Sequence, residues 1–433
     1  MSFVKNSIFI FTAKISQVIS VFLIGLIIAR TMGPKGNGVY ELFQLIVVFS
    51  VTLGALGVGH SMVYLVKRVG YKFEDVLSTV FSVGVIWGIT LGTFVYIFYN
   101  LFPNLVQGLP ASALLLGAVV IPFTLLDSYL IQGFIVDLKI KKQSFLIAIK
   151  NTLLVLLILF FVQFRGLNSN GIIYGVSLAF VLSSLIVIYS LRREYKFKFA
   201  FSLPIIKSSL SFGIRNWLGN VFLILNYKLD VLLVNYFLGV KDVGLYSIAV
   251  MIATSLFLIP SSVGPLLYSS WSAQPQNEVD VTTPKISRQI LFIAFVLSLF
   301  CAAISYFLIP IFYGDQFLPS FTALLFLLPG IITMTVNYIL FNNFSSRGKP
   351  QYSAYSLIIA LIINVLLNII LIPKMGINGA ALSSTISYTL SALISIFIFY
   401  RITEVQTSKN ILMLTSSDFK DMKLSLFKLL KKN

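Results

Sequence analysis

Six charged side chains fall inside long apolar runs: Lys14, Asp127, Lys150, Arg215, Lys228 and Asp230. A charge at the centre of a bilayer costs about 2.5–3.5 kcal/mol on insertion scales, so each of these asks for a partner, a cavity or a function. Four are cationic and two anionic, a balance suited to an anionic ligand. An arginine offers phosphate a two-pronged fork and a lysine a movable point charge. Lys14 and Arg215 are the leading phosphate ligands, with a carboxylate neighbour as the competing reading for each. Asp127 and Asp230 are candidates for ion coupling, because a carboxylate in a low-dielectric cavity can bind or release a proton or a sodium ion. Neutralising a nearby lysine or arginine is the structural alternative.

At about 100° per helical residue, Arg215, Asn216, Gly219, Asn220, Asn226, Tyr227 and Asp230 share one arc. That polar face either lines a cavity or forms a seam in which asparagines join helices. Lys14 and Gln17 begin a thinner version near the N-terminus. Arg30 lies a short turn from Glu41, leaving a substrate contact and a local ion pair both open. Lys228 points away from the arc, and Lys150 is near enough to the inner surface to snorkel. The pairs Asn364/Asn368 and Asn342/Asn343 read as helix–helix glue, and His60 as a hydrogen-bonded structural histidine. Cys301, the single cysteine, reads as a buried inert thiol, and no metal-ligand cluster occurs.

These residues need helices to hold them. Of 433 residues 58% are hydrophobic and 11% charged, far from the ~25% charge of a soluble domain. The chain reads as an all-α polytopic membrane protein. Its twelve expected spans are 8–30, 39–64, 76–102, 111–136, 144–164, 171–191, 208–236, 244–271, 289–312, 321–344, 352–372 and 376–400. The first apolar run lacks a small-residue cleavage site and is interrupted by Lys14, so it reads as a retained span. With the N-terminus inside, 23 of the 32 lysines and arginines fall on inner loops and tails, 5 on outer loops and 4 within spans. That bias places both termini in the cytoplasm. It also accounts for most of the +18 net charge without nucleic acid.

The stretch "MGPKGNGVY" (Met32 to Tyr40) aligns with "LGVKDVGLY" (Leu238 to Tyr246) at an offset of 206, and later matches hold at 207 to 209. Six spans were copied, and an even number keeps both copies in one orientation. Parallel repeats of this kind place a substrate path at their interface. The expected organisation is an N-terminal six-helix lobe over 1–198, a second over 199–400 around a central cavity, and a basic amphipathic tail over 401–433 that should lie on the anionic inner leaflet. In each turn, Gly33 and Gly239 should end a helix in the left-handed conformation, Gly38 and Gly244 should permit close packing, and Tyr40 and Tyr246 should sit at the outer headgroups.

"LIIARTMGPKGNGVYELF", "NYKLDVLLVNYFLGVKDVGLYSIA", "SSRGKPQYS" and "PKMGINGAALSSTIS", in this order and spacing, resemble the Wzx-type O-antigen/polysaccharide flippases of the multidrug/oligosaccharidyl-lipid/polysaccharide (MOP) exporter superfamily. The resemblance covers roughly residues 1 to 400. It implies a transporter in the bacterial cytoplasmic membrane that moves an undecaprenyl diphosphate-linked oligosaccharide from the inner to the outer leaflet by alternating access. Within that frame Lys14, Gln17, Arg30, Arg215, Asn216, Asn220, Asn226 and Tyr227 are the expected substrate contacts. Asp127 and Asp230 are the coupling candidates for a proton or sodium ion, with no cofactor required. Membrane lipids and polysaccharide assembly proteins are the expected partners. The alternatives are an ion-coupled secondary exporter of a soluble small molecule and, less favoured, a membrane sugar polymerase or ligase. The last needs catalytic carboxylates on a sizeable outer loop, and the longest outer loop is about ten residues with no such pair. Nor is there a nucleotide loop, since "GPKGNG" lacks the Gly-Lys-Ser/Thr ending.

Overall fold

The structure is a computed structural model. It describes residues 3–403 with Ile411, Leu412, Thr415 and Asp418, leaving aside the side chains of residues 3–8, 10, 11, 215, 216, 220, 259 and 265. The amphipathic tail helix expected beyond Arg401 otherwise lies outside the described residues. All regular structure among the described residues is helical. The helices are α1 (Phe3–Gly54), α2 (Val58–Tyr64, extended by a π turn over Leu65–Val69), α3 (Phe73–Leu101), α4 (Ser112–Leu130), α5 (Gly133–Val136), α6 (Ile140–Leu159) and α7 (Asn168–Arg192). They continue as α8 (Leu203–Leu238), α9 (Val240–Ser255), α10 (Leu258–Trp271), α11 (Gln276–Tyr313), α12 (Pro319–Ser346), α13 (Gln351–Met375) and α14 (Ile377–Ile402).

Among the described residues ten helical segments are long and apolar enough to cross a bilayer, and the pair α9–α10, bent by 46°, makes eleven. One of the ten, Thr12–Gly54, has 43 residues; at about 1.5 Å each it is roughly twice the ~30 Å hydrocarbon thickness. Gly33 interrupts it with φ 63° and ψ −162°. Divided there, the helices accommodate the twelve crossings expected. Gly239 (φ 93°, ψ 174°) and Gly376 (φ 61°, ψ −141°) make the same break before α9 and α14. The expected left-handed helix end is therefore corrected: φ is positive, but ψ is extended, a region open essentially to glycine alone. Each turn is one residue long, so the next helix starts at once.

The chain divides into two compact units, residues 1–247 with 312–317, and 248–311 with 318–433. This packing boundary differs from the repeat boundary near residue 198 because α8 packs on α1, α2 and α3. In the first unit Gly84, Gly88 and Gly92, one turn apart on α3, let α4 approach: a Cβ on Gly88 would stand 2.7 Å from the Pro122 Cα, and one on Gly92 2.3 Å from the Ala118 carbonyl oxygen. Without a hydrophobic drive between helices in lipid, such contacts are a main source of association.

The repeated turns meet in this unit. A Cβ on Gly38 would lie 1.7 Å from the Val240 carbonyl oxygen and one on Gly244 1.8 Å from that of Pro34. Asn37 Nδ2 closes the contact, donating to the Gly244 carbonyl at 3.1 Å and to Ser247 Oγ at 2.8 Å. The two tyrosines are buried rather than set among headgroups. Tyr40 Oη accepts from Gln44 Nε2 at 2.9 Å, and the Tyr246 hydroxyl donates to Asp230 Oδ2.

Between α1 and α2, Leu56 and Gly57 both take positive φ (49° and 71°), which breaks the second expected span within its apolar run. Backbone carbonyls freed there would be costly in lipid. Three aromatic donors take them: Trp217 Nε1 bonds the Thr52 carbonyl at 2.7 Å, Trp87 Nε1 that of Gly54 at 2.7 Å and Tyr129 Oη that of Ala55 at 2.8 Å. Gly213 of α8 abuts Gly57 backbone to backbone.

In the second unit α12 and α13 pack on α14, whose buried serines supply the glue. Asn337 Nδ2 donates to Ser391 Oγ at 2.8 Å, Asn364 Nδ2 to Ser387 Oγ at 3.0 Å, and Asn368 Nδ2 to Asn364 Oδ1 at 2.9 Å. Asn364 is thus interhelical, Asn368 supports it from the same helix, and Asn343 is interhelical too, its Nδ2 donating to Thr283 Oγ1 at 2.9 Å.

Candidate functional site

The first unit encloses a chamber of about 720 Å³ at the broken span, with Gln17, His60, Asp127, Lys150, Asn151 and Trp217 among its lining residues. A second, of about 360 Å³, shares Gln17, Val48, Thr124, Lys150 and Asn151 with it and runs on to Glu41, Ile224 and Lys228. The shared residues make the two adjoining parts of one polar path within the first unit.

Two ion pairs sit in its wall. Lys150 Nζ lies 2.6 Å from Asp127 Oδ2, with side chains 25% and 10% exposed, so the pair is largely desolvated. Ser183 Oγ donates to the other Asp127 oxygen at 3.3 Å, and the Lys150 ammonium stands 5.0 Å from the Phe180 ring centroid. At the other end Lys228 Nζ is 3.5 Å from Glu41 Oε2 and more exposed, at 41%. Asn151 lies between them at 8% exposure, and its Nδ2 has no hydrogen-bond partner among the described residues. A buried amide without a partner costs about 1–3 kcal/mol, which a bound acceptor can recover.

The structure brings Gln17 and Asp127 together at this path. It does not bring Asn226, Tyr227 or Asp230 there: on α8 the lining residues are Trp217, Ile224 and Lys228, so Lys228, which the helical wheel turned away, faces the chamber. Asn226 and Asp230 are buried, with Asn226 Nδ2 donating to the Phe222 carbonyl at 2.9 Å and Asp230 held by Tyr246. Lys14 is half-buried and lines neither chamber. Arg30 is exposed and donates from Nε to the Phe312 carbonyl at 2.8 Å. The side chains of Arg215, Asn216 and Asn220 lie outside the described residues. His60 lines the larger chamber instead of sitting sealed in a helix interface.

Asn151 is what sequence reasoning passed over, and Lys150 reads there as near enough to the inner surface to snorkel. α6 starts at Ile140, so Lys150 sits about 15 Å along the helix, and its side chain turns to Asp127. The available signal was a lysine and an aspartate in successive spans, each costly alone.

On the expected cytoplasmic side, Lys139 and Lys142 both reach Glu194, tying the start of α6 to the end of α7. Hydrogen bonds from Lys139 and then Lys142 hold the Glu194 carboxyl below its ordinary value. In the second unit Arg347, the arginine of "SSRGKPQYS", bonds Asn343 Oδ1 at 2.8 Å and pairs with Asp280, so it joins α12 to α11. Arg288 grips Asp418 through Nε at 2.7 Å and Nη2 at 3.2 Å. Thr415 adds a further bond, its backbone N–H donating to Asp418 Oδ2 at 2.9 Å.

The model of the polysaccharide biosynthesis protein family matches residues 27–322. The chain belongs to that family. A putative O-antigen transporter of Shigella flexneri is 24% identical over 94% of the chain and 99% of its own length. An uncharacterized membrane protein of Methanocaldococcus jannaschii is 26% identical over 55% of the chain, which spans about half (49%) of that relative. Among solved structures, the lipid II flippase MurJ in an inward closed conformation superposes with a TM-score of 0.78 at 17% identity, covering 99% of this chain and 91% of its own. An inward-facing multidrug resistance MATE family transporter of the MOP superfamily gives 0.72 at 16%, covering 89% and 94%. This member of the polysaccharide biosynthesis family is therefore a multi-pass integral membrane protein that shares the fold of those two solved structures.

Proposed function

We propose that this transporter moves an undecaprenyl diphosphate-linked oligosaccharide, an O-antigen or other surface polysaccharide repeat unit, from the inner to the outer leaflet of the bacterial cytoplasmic membrane by alternating access. The observation that carries the reading is a polar path with paired lysines, inside a membrane bundle, in a chain of the polysaccharide biosynthesis family. A charged headgroup needs such a path, while the polyprenyl tail stays in lipid. Lys14, Arg30 and Arg215 are proposed to guide the diphosphate, and Gln17, Asn216, Asn220, Asn226 and Tyr227 the sugars. Asp127 and Asp230 remain the proposed sites for a coupled proton or sodium ion. Moving two negative charges outward across an inside-negative 100 mV releases about 4–5 kcal/mol if nothing else crosses. Both termini are proposed to be cytoplasmic, where assembly proteins could dock.

The likeness to a multidrug transporter favours a second reading, ion-coupled export of a soluble small molecule. Deleting the protein from its own cells separates the two. The proposed function predicts accumulation of the lipid-linked saccharide on the inner leaflet, relieved by the wild type and at least tenfold less by Lys14→Ala with Arg215→Ala, given ~1.5–3 kcal/mol per charged hydrogen bond lost. Unchanged lipid-linked pools in the deletion strain would reject it.

A further inference from the structure

Lys150 is less exposed than Lys228, the other lysine of the chamber wall, and it pairs with Asp127 at 2.6 Å. Next along α6 stands Asn151, buried, with an amide donor that nothing among the described residues accepts. The two side chains line both chambers, so a ligand in either meets an ammonium and an amide N–H together. Gln17 adds an amide donor from α1 to the same lining. Donors with one cation recognise an acceptor-rich anion, and a diphosphate oxygen fits both the charge and the hydrogen-bonding need. One obstacle is built in: Asp127 already occupies the lysine.

We infer that Lys150 and Asn151 form a diphosphate subsite for which Asp127 is the internal competitor, so that a bound headgroup takes Lys150 from Asp127. This deepens the proposed function and rests on it for the identity of the natural ligand. The competition has a sign that a merely structural ion pair lacks. Neutralising the aspartate in a structural pair strands the lysine and weakens the protein; at a competed site the same change frees the lysine for ligand.

The test uses the purified full-length chain in detergent, titrated calorimetrically with inorganic diphosphate in one arm and farnesyl diphosphate in the other. Asp127→Asn should tighten binding by about tenfold and Lys150→Met weaken it by about tenfold, the scale of one charged hydrogen bond. The double variant should bind as Lys150→Met alone, since the gain acts through the lysine. Asn151→Ala removes no charge and should weaken binding several-fold even if a variant of the pair folds poorly. Tightening with both probes supports a subsite open to water; tightening with the prenyl form alone supports one reached only by a lipid-anchored headgroup. Unchanged or weaker binding of both probes to a folded Asp127→Asn protein, or no effect of Asn151→Ala, overturns the inference. Vesicle transport of lipid-linked saccharide is read separately: transport without the binding pattern sinks the subsite alone, and the binding pattern without transport sinks the functional reading alone.

Discussion

Gly38 and Gly244 face one another's turns with no room for a methyl group, and because the obstructing atoms are backbone oxygens they cannot rotate aside. Gly38→Ala or Gly244→Ala should cost about 1–3 kcal/mol, the usual range for overpacking, read as a lower thermal midpoint in detergent. Gly219 gives the control: nothing lies within 4 Å of its absent Cβ, so Gly219→Ala should hold or raise the midpoint through helix propensity alone. At Asp418, burial pushes the carboxyl up, but the hydrogen bonds from Arg288 and Thr415 outweigh it and hold the pKa at about 2, below the ordinary 3.8. A depressed carboxylate stabilises fully above its unfolded pKa and loses that contribution as pH falls through its folded one. The difference in thermal midpoint between wild type and Asp418→Ala should therefore be widest above pH 3.8 and close as pH falls toward about 2.

Among the elements, the broken second span is the feature most tied to the chamber, because its freed carbonyls and the cavity share Thr52, Ala55, Tyr129 and Trp217. Tyr129→Phe keeps the ring and removes only the hydroxyl that serves the Ala55 carbonyl. It should destabilise by about 1–3 kcal/mol, the desolvation cost of an unsatisfied buried acceptor, and chemical denaturation monitored by tryptophan fluorescence would measure it. Helix existence was legible in the sequence because bilayer thickness imposes a run length, and Gly33 and Gly239 were legible as breaks because no other residue tolerates their backbone angles. The site was less so. Periodicity on α8 grouped Asn226 and Asp230 with the cavity, yet Asn226 Nδ2 bonds the Phe222 carbonyl of its own helix and Asp230 accepts from Tyr246 of α9. A wheel reports which residues share a face and says nothing of whether that face meets water or another helix. The Lys150–Asp127 pair joins two different helices, and no single helix's pattern could reveal it.

For the whole molecule, the distribution of lysine and arginine predicts sidedness. On a Cys301→Ser background, a cysteine replacing Lys349 should react with a membrane-impermeant maleimide only in inside-out vesicles, and one replacing Arg165 only in right-side-out cells; the reverse pattern would invert the proposed topology. The packing of α8 with the first unit places the boundary between the units away from residue 198, where the sequence repeat led us to expect it. What the molecule does with its polar path is tested most directly by reconstitution. Purified protein in liposomes carrying a fluorescent polyprenyl diphosphate-linked saccharide should make the inner-leaflet pool accessible to an external quencher faster than protein-free vesicles do. Equal rates with and without protein, in vesicles that still carry a soluble solute, would contradict a lipid-linked substrate.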